Sequence, residues 1–316
     1  MKKILAALLA APTLAWGQAY PAKPIRIVLP FGPGGVADIT TRTIAPKLTE
    51  SLGQQIIVDN KPGAGGIIAS EAVAKAEPDG YTLLLLTNGN AVSQALFKSL
   101  PYDPVHDFAM ISTVGYFSMV LVTSSQSKYK TLKDFVAAAK ANPGKLNIGT
   151  ITPGGTQHLA GELFRSTAGI EAVVVPHKTT GEVVVSTMNG SVDIAVDFIA
   201  PLLSSIKSGQ LTALAVTAGK RFPGLPDVPT VIEAGVPGYD VASWNALAAP
   251  AKTPHAVIMK VHEALVKALA APEVQKRYAE LGVEGRASTP EELKAFYASE
   301  TKRWTQVVER AKIPKQ

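Results

Sequence analysis

The stretch that decides the fold runs from residue 25 to residue 38 and reads IRIVLPFGPGGVAD. Four of its first five residues are β-branched or leucine, which predicts a buried strand over Ile25–Leu29. Glycines follow, and an amphipathic pattern then predicts a helix over 39–52. This order places the free N–H groups of a helix start at the carboxyl end of a strand, where open α/β sheets bind ligands.

The same alternation of apolar runs and amphipathic stretches continues along the chain. Near-continuous apolar runs predict strands that are covered on both faces, and the stretches between them predict helices. The fold class is therefore α/β with mostly parallel sheets. Further strands are predicted over 56–59, 82–87, 146–150, 172–176, 192–196 and 211–217, and further helices over 132–140 and 157–166.

The length of the chain predicts two lobes, because the roughly 295 residues that follow a predicted N-terminal signal peptide are too many for one ordinary core. A second α/β unit begins near 119–123. A last strand at 245–250 leads into three helical stretches, 254–270, 272–281 and 290–310, each with proline in its first turn. These helices have no sheet of their own, so we assign them to the first lobe. Lobe 1 is predicted to comprise 20–122 and 247–316, and lobe 2 to comprise 123–246, with two hinge crossings.

The first nineteen residues have the pattern of a secretory signal peptide. Lys2 and Lys3 precede an apolar run over 4–16, and small residues then offer cleavage after Gly17 or Ala19. The run is too short to cross a bilayer comfortably, and no later stretch supplies eighteen uninterrupted apolar residues. We therefore expect a soluble, periplasmic protein. A buried N-terminal helix is the alternative.

Composition excludes several classes of function. The chain has no cysteine, which excludes disulfides, thiolate metal sites and cysteine nucleophiles. Its formal charge of +6 becomes +4 without Lys2 and Lys3, and it has no dense basic stripe of the kind that binds nucleic acid. The five histidines show no metal spacing, so we expect no metal and no cofactor. A mild positive field fits a small acidic ligand, but it also fits a merely soluble surface.

A second glycine segment repeats the first arrangement in the second lobe. Residues 152–158 read TPGGTQH and lie between a predicted strand and a predicted helix. Two such helix starts facing across a cleft would hold a carboxylate, or one at each end of a dicarboxylate. A third segment, NKPGAGG at 60–66, follows the second strand and could add amides to the same rim. Tight turns without a ligand are the alternative for each loop.

Three polar residues follow strands of the second lobe and are further candidates. His158 and His177 could donate to a ligand, and Asp197 could accept from a ligand or from a loop amide. For each of them a purely structural role is an equal or slightly stronger alternative.

A dinucleotide site is the main enzymatic alternative. Gly32, Gly34 and Ala37 satisfy a permissive Gly-x-Gly-x-x-Gly/Ala pattern, and Asp59 ends the second strand. Against this interpretation, Pro33 removes an amide donor, the acidic residue comes late, and an exported protein meets little dinucleotide. No P-loop, Gly-x-Ser-x-Gly elbow or His-Glu-x-x-His motif is present. We therefore expect no enzymatic activity.

Several ordered motifs resemble those of the Bug, or tripartite tricarboxylate transporter, extracytoplasmic solute receptors. The resemblance runs from about residue 20 to residue 313. Its motifs are YPAKPIR at 20–26, the 30–38 loop, NKPGAGG at 60–66, PDGYTLL at 78–84, LPYDP at 100–104, GTQHLAGELF at 155–164 and LPDVPT at 225–230.

The resemblance implies a two-lobed periplasmic-binding-protein fold, type II-like, that closes as a Venus flytrap around a small carboxylate. It also implies docking on membrane permease subunits, although some members of the family serve signalling. No role it implies is catalytic, and we expect a monomer because a hinge needs free lobes. The predicted ligand-binding residues are Phe31, Gly32, Pro33, Gly34, Gly35, Asp38, Gly65, Gly66, Asn88, Thr152, Gly154, Gly155, Thr156, His158, His177, Lys178 and Asp197.

Departures from the family pattern lie near the expected cleft. Gly32 replaces a common proline, and Thr152-Pro153 replaces a more usual small polar residue and glycine. His177 stands where tyrosine is usual, and Asn245 stands where an aromatic residue is common. We expect these changes to alter recognition of the far end of the ligand. His177 or Lys178 could engage a second carboxylate, which favours dicarboxylates.

Overall fold

The structure is a computed structural model that describes residues 20–151 and 155–315, except for the side chain of Ala64. The predicted signal peptide and residues 152–154 lie outside the described residues. Within the described part the chain forms ten strands and ten α-helices. None of the helices described is both long enough and apolar enough to span a bilayer.

The strands and helices alternate for most of the chain. The strands are β1 (Ile25–Leu29), β2 (Ile56–Asn60), β3 (Thr82–Thr87), β4 (Phe108–Ser124), β5 (Asn147–Ile151), β6 (Val173–His177), β7 (Ile194–Phe198), β8 (Leu211–Val216), β9 (Ala242–Pro250) and β10 (Val283–Glu284). The helices are α1 (Val36–Leu52), α2 (Ile67–Ala74), α3 (Asn88–Leu96), α4 (Leu132–Ala141), α5 (Thr156–Thr167), α6 (Thr180–Met188), α7 (Ile199–Lys207), α8 (His255–Ala270), α9 (Pro272–Glu280) and α10 (Pro290–Arg310).

The long strand β4 belongs to two sheets. Its first part, 108–118, pairs with β9 and β10 in sheet A, whose order is β2-β1-β3-β9-β4-β10. Its last part, 119–124, lies between β7 and β8 in sheet B, whose order is β6-β5-β7-β4-β8. Strand pairing therefore changes from one sheet to the other between Ser118 and Met119.

The direction of the strands brings two sheet edges face to face. In sheet A, β1, β2 and β3 are parallel, and two antiparallel pairings through β9 make β4 run the same way as β3. In sheet B, β5, β6 and β7 are parallel to one another and antiparallel to β4. The carboxyl ends of both sets of parallel strands therefore point toward the place where β4 crosses. At that crossing Met119 pairs with Phe198, the last residue of β7.

Each sheet is covered on both faces. One face of sheet A packs on α1, α8 and α9, and the other packs on α2 and the first half of α10. One face of sheet B packs on α4 and α5, and the other packs on α6 and α7. The apolar runs in the sequence reflect this double coverage, as in Leu83–Leu86, which is almost completely buried.

The last helix contacts both halves of the molecule. Leu293 and Tyr297 pack against sheet A, whereas Trp304 and Val307 belong to the core beneath α4 and α5. A helix of 21 residues spans about 30 Å, which is long enough to reach across two lobes. The lobe limits at 122/123 and 246/247 stay a prediction.

The predicted α/β class is confirmed, and most predicted elements are present within one or two residues. Three differences are larger, and the first is that β9 begins at Ala242, three residues before the predicted start at residue 245. Helix α1 begins at Val36, three residues before the predicted start, because Gly35 serves as its N-cap. Residues 108–118 were not predicted as a strand, since their alternation is interrupted at Ser112, Thr113 and Gly115, where the pairing register shifts.

Candidate functional site

The first glycine loop is fixed from beneath by Asp38. This side chain is 3 % exposed, and its Oδ2 accepts a hydrogen bond from the main-chain N–H of Gly34 at 2.9 Å. The Nε of Arg42 donates to both carboxylate oxygens at 3.0 Å, and Asn60 Nδ2 donates to Oδ1 at 3.0 Å. Asn60 also donates to the carbonyl of Phe31 at 2.9 Å. Asp38 is thus fully engaged within the protein and shapes the loop from inside.

The hydrogen bonds around Asp38 keep it ionised. Burial acts to raise its pKa, but the bonds from Arg42, Gly34 and Asn60 outweigh burial and hold the pKa below its usual value. At neutral pH a negative charge therefore lies under the loop, and it strengthens the hydrogen bond that the N–H of Gly34 donates to Asp38.

The outer face of the loop is open. Phe31 is 43 % exposed, and a Cβ added at Gly32, Gly34 or Gly35 would meet no atom within 4 Å. Gly34 has φ +86°, a conformation that favours glycine. Gly35 is the N-cap of α1 and has no side-chain cap, so the first-turn amides of the helix have no intrahelical partner. These amides, rather than that of Gly34, are the donors available to an anion.

The third glycine segment adjoins the first loop. A Cβ on Gly66 would lie 3.2 Å from Cβ of Pro30, and a Cβ on Gly89 would lie 3.8 Å from the carbonyl oxygen of Gly65. The N–H of Gly66 donates to the carbonyl of Gly63 at 3.0 Å. The segment thus connects the end of β1 to the start of α3, but the amide of Gly66 is used within the turn.

Asn88 joins the two sheet edges directly. It is the first residue of α3, at the end of β3, and its Nδ2 donates to Oγ1 of Thr156 at 3.3 Å. Thr156 is the first residue of α5, whose N-cap Gly155 also has no side-chain cap. The helix starts that follow β3 and β5 therefore meet across the space between sheets A and B.

Asp197 organises the sheet B edge from inside. It is completely buried, and its Oδ1 accepts from Gln157 Nε2 at 3.0 Å and from the N–H of Phe198 at 2.7 Å. Its Oδ2 accepts from Thr180 Oγ1 at 2.6 Å. Burial raises its pKa despite these three bonds. The carboxyl group therefore ties the starts of α5 and α6 to the end of β7.

The histidines and Lys178 have different surroundings. His177 Nδ1 lies 3.1 Å from the carbonyl oxygen of Val175 and 3.3 Å from that of Thr150, so it donates to them, and Nε2 forms a hydrogen bond with Ser186 Oγ at 2.9 Å. His158 lies buried in the first turn of α5, where burial, followed by the charge of Arg165, lowers its pKa. Lys178 is exposed beyond the end of β6.

The predicted site residues thus fall into two groups. The loop glycines, Asn88, Thr156 and His158 lie at the two facing edges, whereas Asp38, Asp197 and His177 bond to protein groups that support those edges. The sequence interpretation assigned no supporting role to Arg42, Asn60, Gln157 or Thr180, although Asn60 and Gln157 lie in glycine segments that it singled out. Thr152 and Gly154 lie outside the described residues.

The geometry does not favour a dinucleotide site. Asp59, the residue expected to bind a ribose, lies 3.6 Å from Arg26 on the neighbouring strand. The amide of Gly34 is already used by Asp38, and Pro33 has none. In the described part of the chain, no three histidine or acidic side chains cluster in a way that could hold a metal ion.

A separate groove of about 830 Å³ lies away from these loops. It is bordered by the second half of α5, by β6 and by Arg310, and it contains the ion pair between Arg165 and Glu162 at 2.6 Å. None of its lining residues lies at the carboxyl end of a strand or at the start of a helix.

Comparisons with known proteins agree on one family. The family model described as tripartite tricarboxylate transporter family receptor matches residues 40–313. The protein BugT of Bordetella pertussis is 36 % identical over 307 residues, covering 96 % of this chain and 94 % of BugT.

Two solved structures with bound acids have the same fold. R. palustris Rpa4515 with adipate has a TM-score of 0.82 and 30 % identity, covering 94 % of this chain and 100 % of that one. MatC from Rhodopseudomonas palustris with bound malate has a TM-score of 0.77 and 31 % identity, covering 92 % of this chain and 100 % of that one.

Proposed function

Because the chain belongs to the tripartite tricarboxylate transporter receptor family, we propose that it is a periplasmic receptor that captures a small carboxylate between its two lobes. The observation that carries the proposal is the meeting of three helix starts at one crevice, α1 and α3 from sheet A and α5 from sheet B, of which those of α1 and α5 have no side-chain cap. Helix starts present N–H groups and a partial positive charge, and both favour a carboxylate.

We expect the lobes to close around the ligand because the N–H donors are divided between the edge of sheet A and the edge of sheet B. An acid that contacts the α1 loop alone gains only part of the available hydrogen bonds, whereas an acid that also reaches the start of α5 gains the rest. A ligand that binds the closed form better shifts the equilibrium toward closure by that difference. The lobes are 20–122 with 247–316 and 123–246, and closure turns on the two chain crossings between them.

The partner is a membrane permease, to which the closed receptor delivers its acid as a monomer. Export through the N-terminal signal places it in the periplasm. Bound adipate and malate in two relatives support a carboxylate ligand here. The proposal includes no catalytic step, since the groups at the crevice are amides and supporting side chains, and the relatives are solute-binding proteins.

The substitution Gly34→Val tests the proposed site. Valine at φ +86° is strained, so the loop must change conformation and the amides around it move. We expect calorimetric titration with malate, succinate and adipate to show at least a tenfold loss of affinity for whichever acid binds the wild type.

Gly190→Val is the matched control. Gly190 has φ +77°, has open space around its Cβ position, and lies at the end of α6 away from the crevice. Both variants should lose similar thermal stability, but only Gly34→Val should lose the acid. Equal affinities in the two variants would place the carboxylate elsewhere.

A further inference from the structure

Asn88 has a buried hydrogen-bond acceptor with no donor. The residue is 1 % exposed, and its Nδ2 is used by Thr156 across the crevice. Its Oδ1 is buried and has no hydrogen-bond partner among residues 20–151 and 155–315. Buried acceptors without a donor are unfavourable and rare, so this oxygen points to a group that binds there.

The position of this oxygen limits which part of a ligand can reach it. Oδ1 and Nδ2 are the two ends of one carboxamide, and Nδ2 contacts the first residue of α5. The first-turn amides of α5 are donors in the proposed carboxylate site. A ligand group that donates to Oδ1 must therefore sit on an atom next to the carboxylate, which is the C2 position of the acid.

The charge around Asn88 excludes a cationic donor. The starts of α3 and α5 both contribute partial positive charge, which disfavours an ammonium group. The acidic side chains that support the two edges, Asp38 and Asp197, already accept three or more hydrogen bonds each. A neutral donor such as a hydroxyl has no such penalty.

A nearby unpartnered donor also favours a hydroxyl. Asn245 pairs in register with Thr87, the residue before Asn88, and its Nδ2 is buried without an acceptor in the described residues. A hydroxyl both donates and accepts, so its chemistry matches both an unpartnered acceptor and an unpartnered donor. A carbonyl only accepts, and a methylene group does neither.

We infer that Asn88 is a specificity-determining residue that selects 2-hydroxycarboxylates, whose hydroxyl donates to its Oδ1 while the adjacent carboxylate accepts from the helix-start amides. This inference rests on the proposed function, because it needs a carboxylate at the crevice. Beyond the proposed function, it specifies the substituent on the carbon next to that carboxylate.

Matched pairs of acids test the inference on the wild-type protein. Calorimetric titration would compare malate with succinate, 2-hydroxyadipate with adipate, and mandelate with phenylacetate, and would add aspartate and oxaloacetate to the first pair. In every pair that binds, the hydroxy acid should bind about tenfold or more tightly, and aspartate and oxaloacetate should resemble succinate.

The variant Asn88→Leu removes the acceptor at similar volume. Affinity for the hydroxy acid should fall about tenfold or more, to that of its unsubstituted partner. Thr156→Val removes the contact across the crevice but leaves Oδ1 in place, so it should weaken both acids equally and preserve their ratio. Asn142→Leu, at the exposed end of α4, should change neither affinity.

Three results would overturn the inference, and each is distinct from failure of the proposed function. If succinate binds the wild type as tightly as malate or more tightly, the amide of Asn88 presents Nδ2 to the ligand and not Oδ1. If Asn88→Leu leaves the ratio of the affinities for the hydroxy acid and its unsubstituted partner unchanged, Asn88 contributes only a contact to the closed form. Tighter binding of aspartate than of malate would mean that the ligand group that donates to Oδ1 is an ammonium group and not a hydroxyl. If none of the acids binds, the carboxylate function itself is wrong.

Discussion

At the scale of single residues, the molecule uses carboxylates to shape loops that are built to receive another carboxylate. Asp38 and Asp197 each lie beneath a ligand-facing edge and accept hydrogen bonds from the groups that form it. A negative charge so close to an anion site would repel the ligand if it were exposed. The carboxylate of Asp38 is enclosed by Arg42, Asn60 and Gly34, and that of Asp197 is enclosed by Gln157 and Thr180. These groups separate each charge from the crevice.

The pH dependence of stability should report on Asp38. Its pKa in the folded protein lies below that of the unfolded chain, so its stabilisation is fully present above about pH 4 and is lost as pH falls through the folded-state pKa. Asp38→Asn should cost about 2 kcal/mol at pH 7, because charge-assisted hydrogen bonds are lost. It should also make the free energy of unfolding flatter below pH 4, as measured by urea denaturation from pH 2.5 to 7.

Asp59→Asn provides the comparison for that experiment. Asp59 is the next-to-last residue of β2 in the same sheet, but its only ion pair in the described part of the chain is with Arg26, at 3.6 Å, and both side chains are partly exposed. We expect the free energy of unfolding at pH 7 to change by less than about 1 kcal/mol. An acid profile of Asp38→Asn identical to that of the wild type would contradict the role assigned to Asp38.

At the scale of elements, α10 is joined to sheet A through one buried carboxylate. Oε2 of Glu300, a residue 5 % exposed, accepts from the indole Nε1 of Trp244 at 3.1 Å and from that of Trp304 at 2.9 Å. Trp244 belongs to β9, whereas Trp304 packs in the core of the other half of the molecule. Glu300 therefore holds the helix at the point where it passes from one half to the other.

Glu300→Ala should destabilise the fold by about 3–5 kcal/mol, because it leaves two buried indole donors without an acceptor. Trp244 and Trp304 are two of the three tryptophans in the sequence, and the third, Trp16, lies in the predicted signal peptide. The tryptophan fluorescence of the protein without that peptide therefore reports directly on this junction during denaturation with guanidinium. Glu309→Ala, on an exposed position of the same helix, should change stability by less than about 0.5 kcal/mol. Similar losses in both variants would show that the junction is not energetically important.

At the scale of the whole molecule, the two halves touch through the side chains of Asn88 and Thr156, which belong to different sheets. In the closure proposed above, this contact belongs to the closed arrangement and is lost when the halves separate. Ligand capture by closure therefore predicts a change in overall size, because the free protein samples separated halves and the bound protein does not.

Small-angle X-ray scattering measures that change. A compact chain of about 295 residues has a radius of gyration near 19 Å. We expect the free protein to exceed the value measured with a saturating acid, and Asn88→Leu to respond less because its closed form lacks the contact with Thr156. An unchanged radius with an acid that calorimetry shows to be bound would rule out closure as the response to ligand.

The sequence by itself determined the α/β class, the position of most elements and the glycine loops at strand ends, although no range was predicted for α2, α3, α6, α7 or β10. These features are local, since apolar periodicity, prolines and glycines act over a few residues. Residues 30–38 and 155–158 located both edges of the candidate site because glycines between a strand and a helix are also a local feature.

Only the tertiary structure decided which polar residues face the crevice and which support it. Asp38 and Asp197 read from the sequence as ligand contacts, but partners 22 and 40 residues away occupy their oxygens. Residues 108–118 became a strand because β9, more than a hundred residues later, supplies the hydrogen bonds. Such pairings depend on which elements the fold brings together, and hydrogen bonds between distant residues leave no periodic trace in the chain.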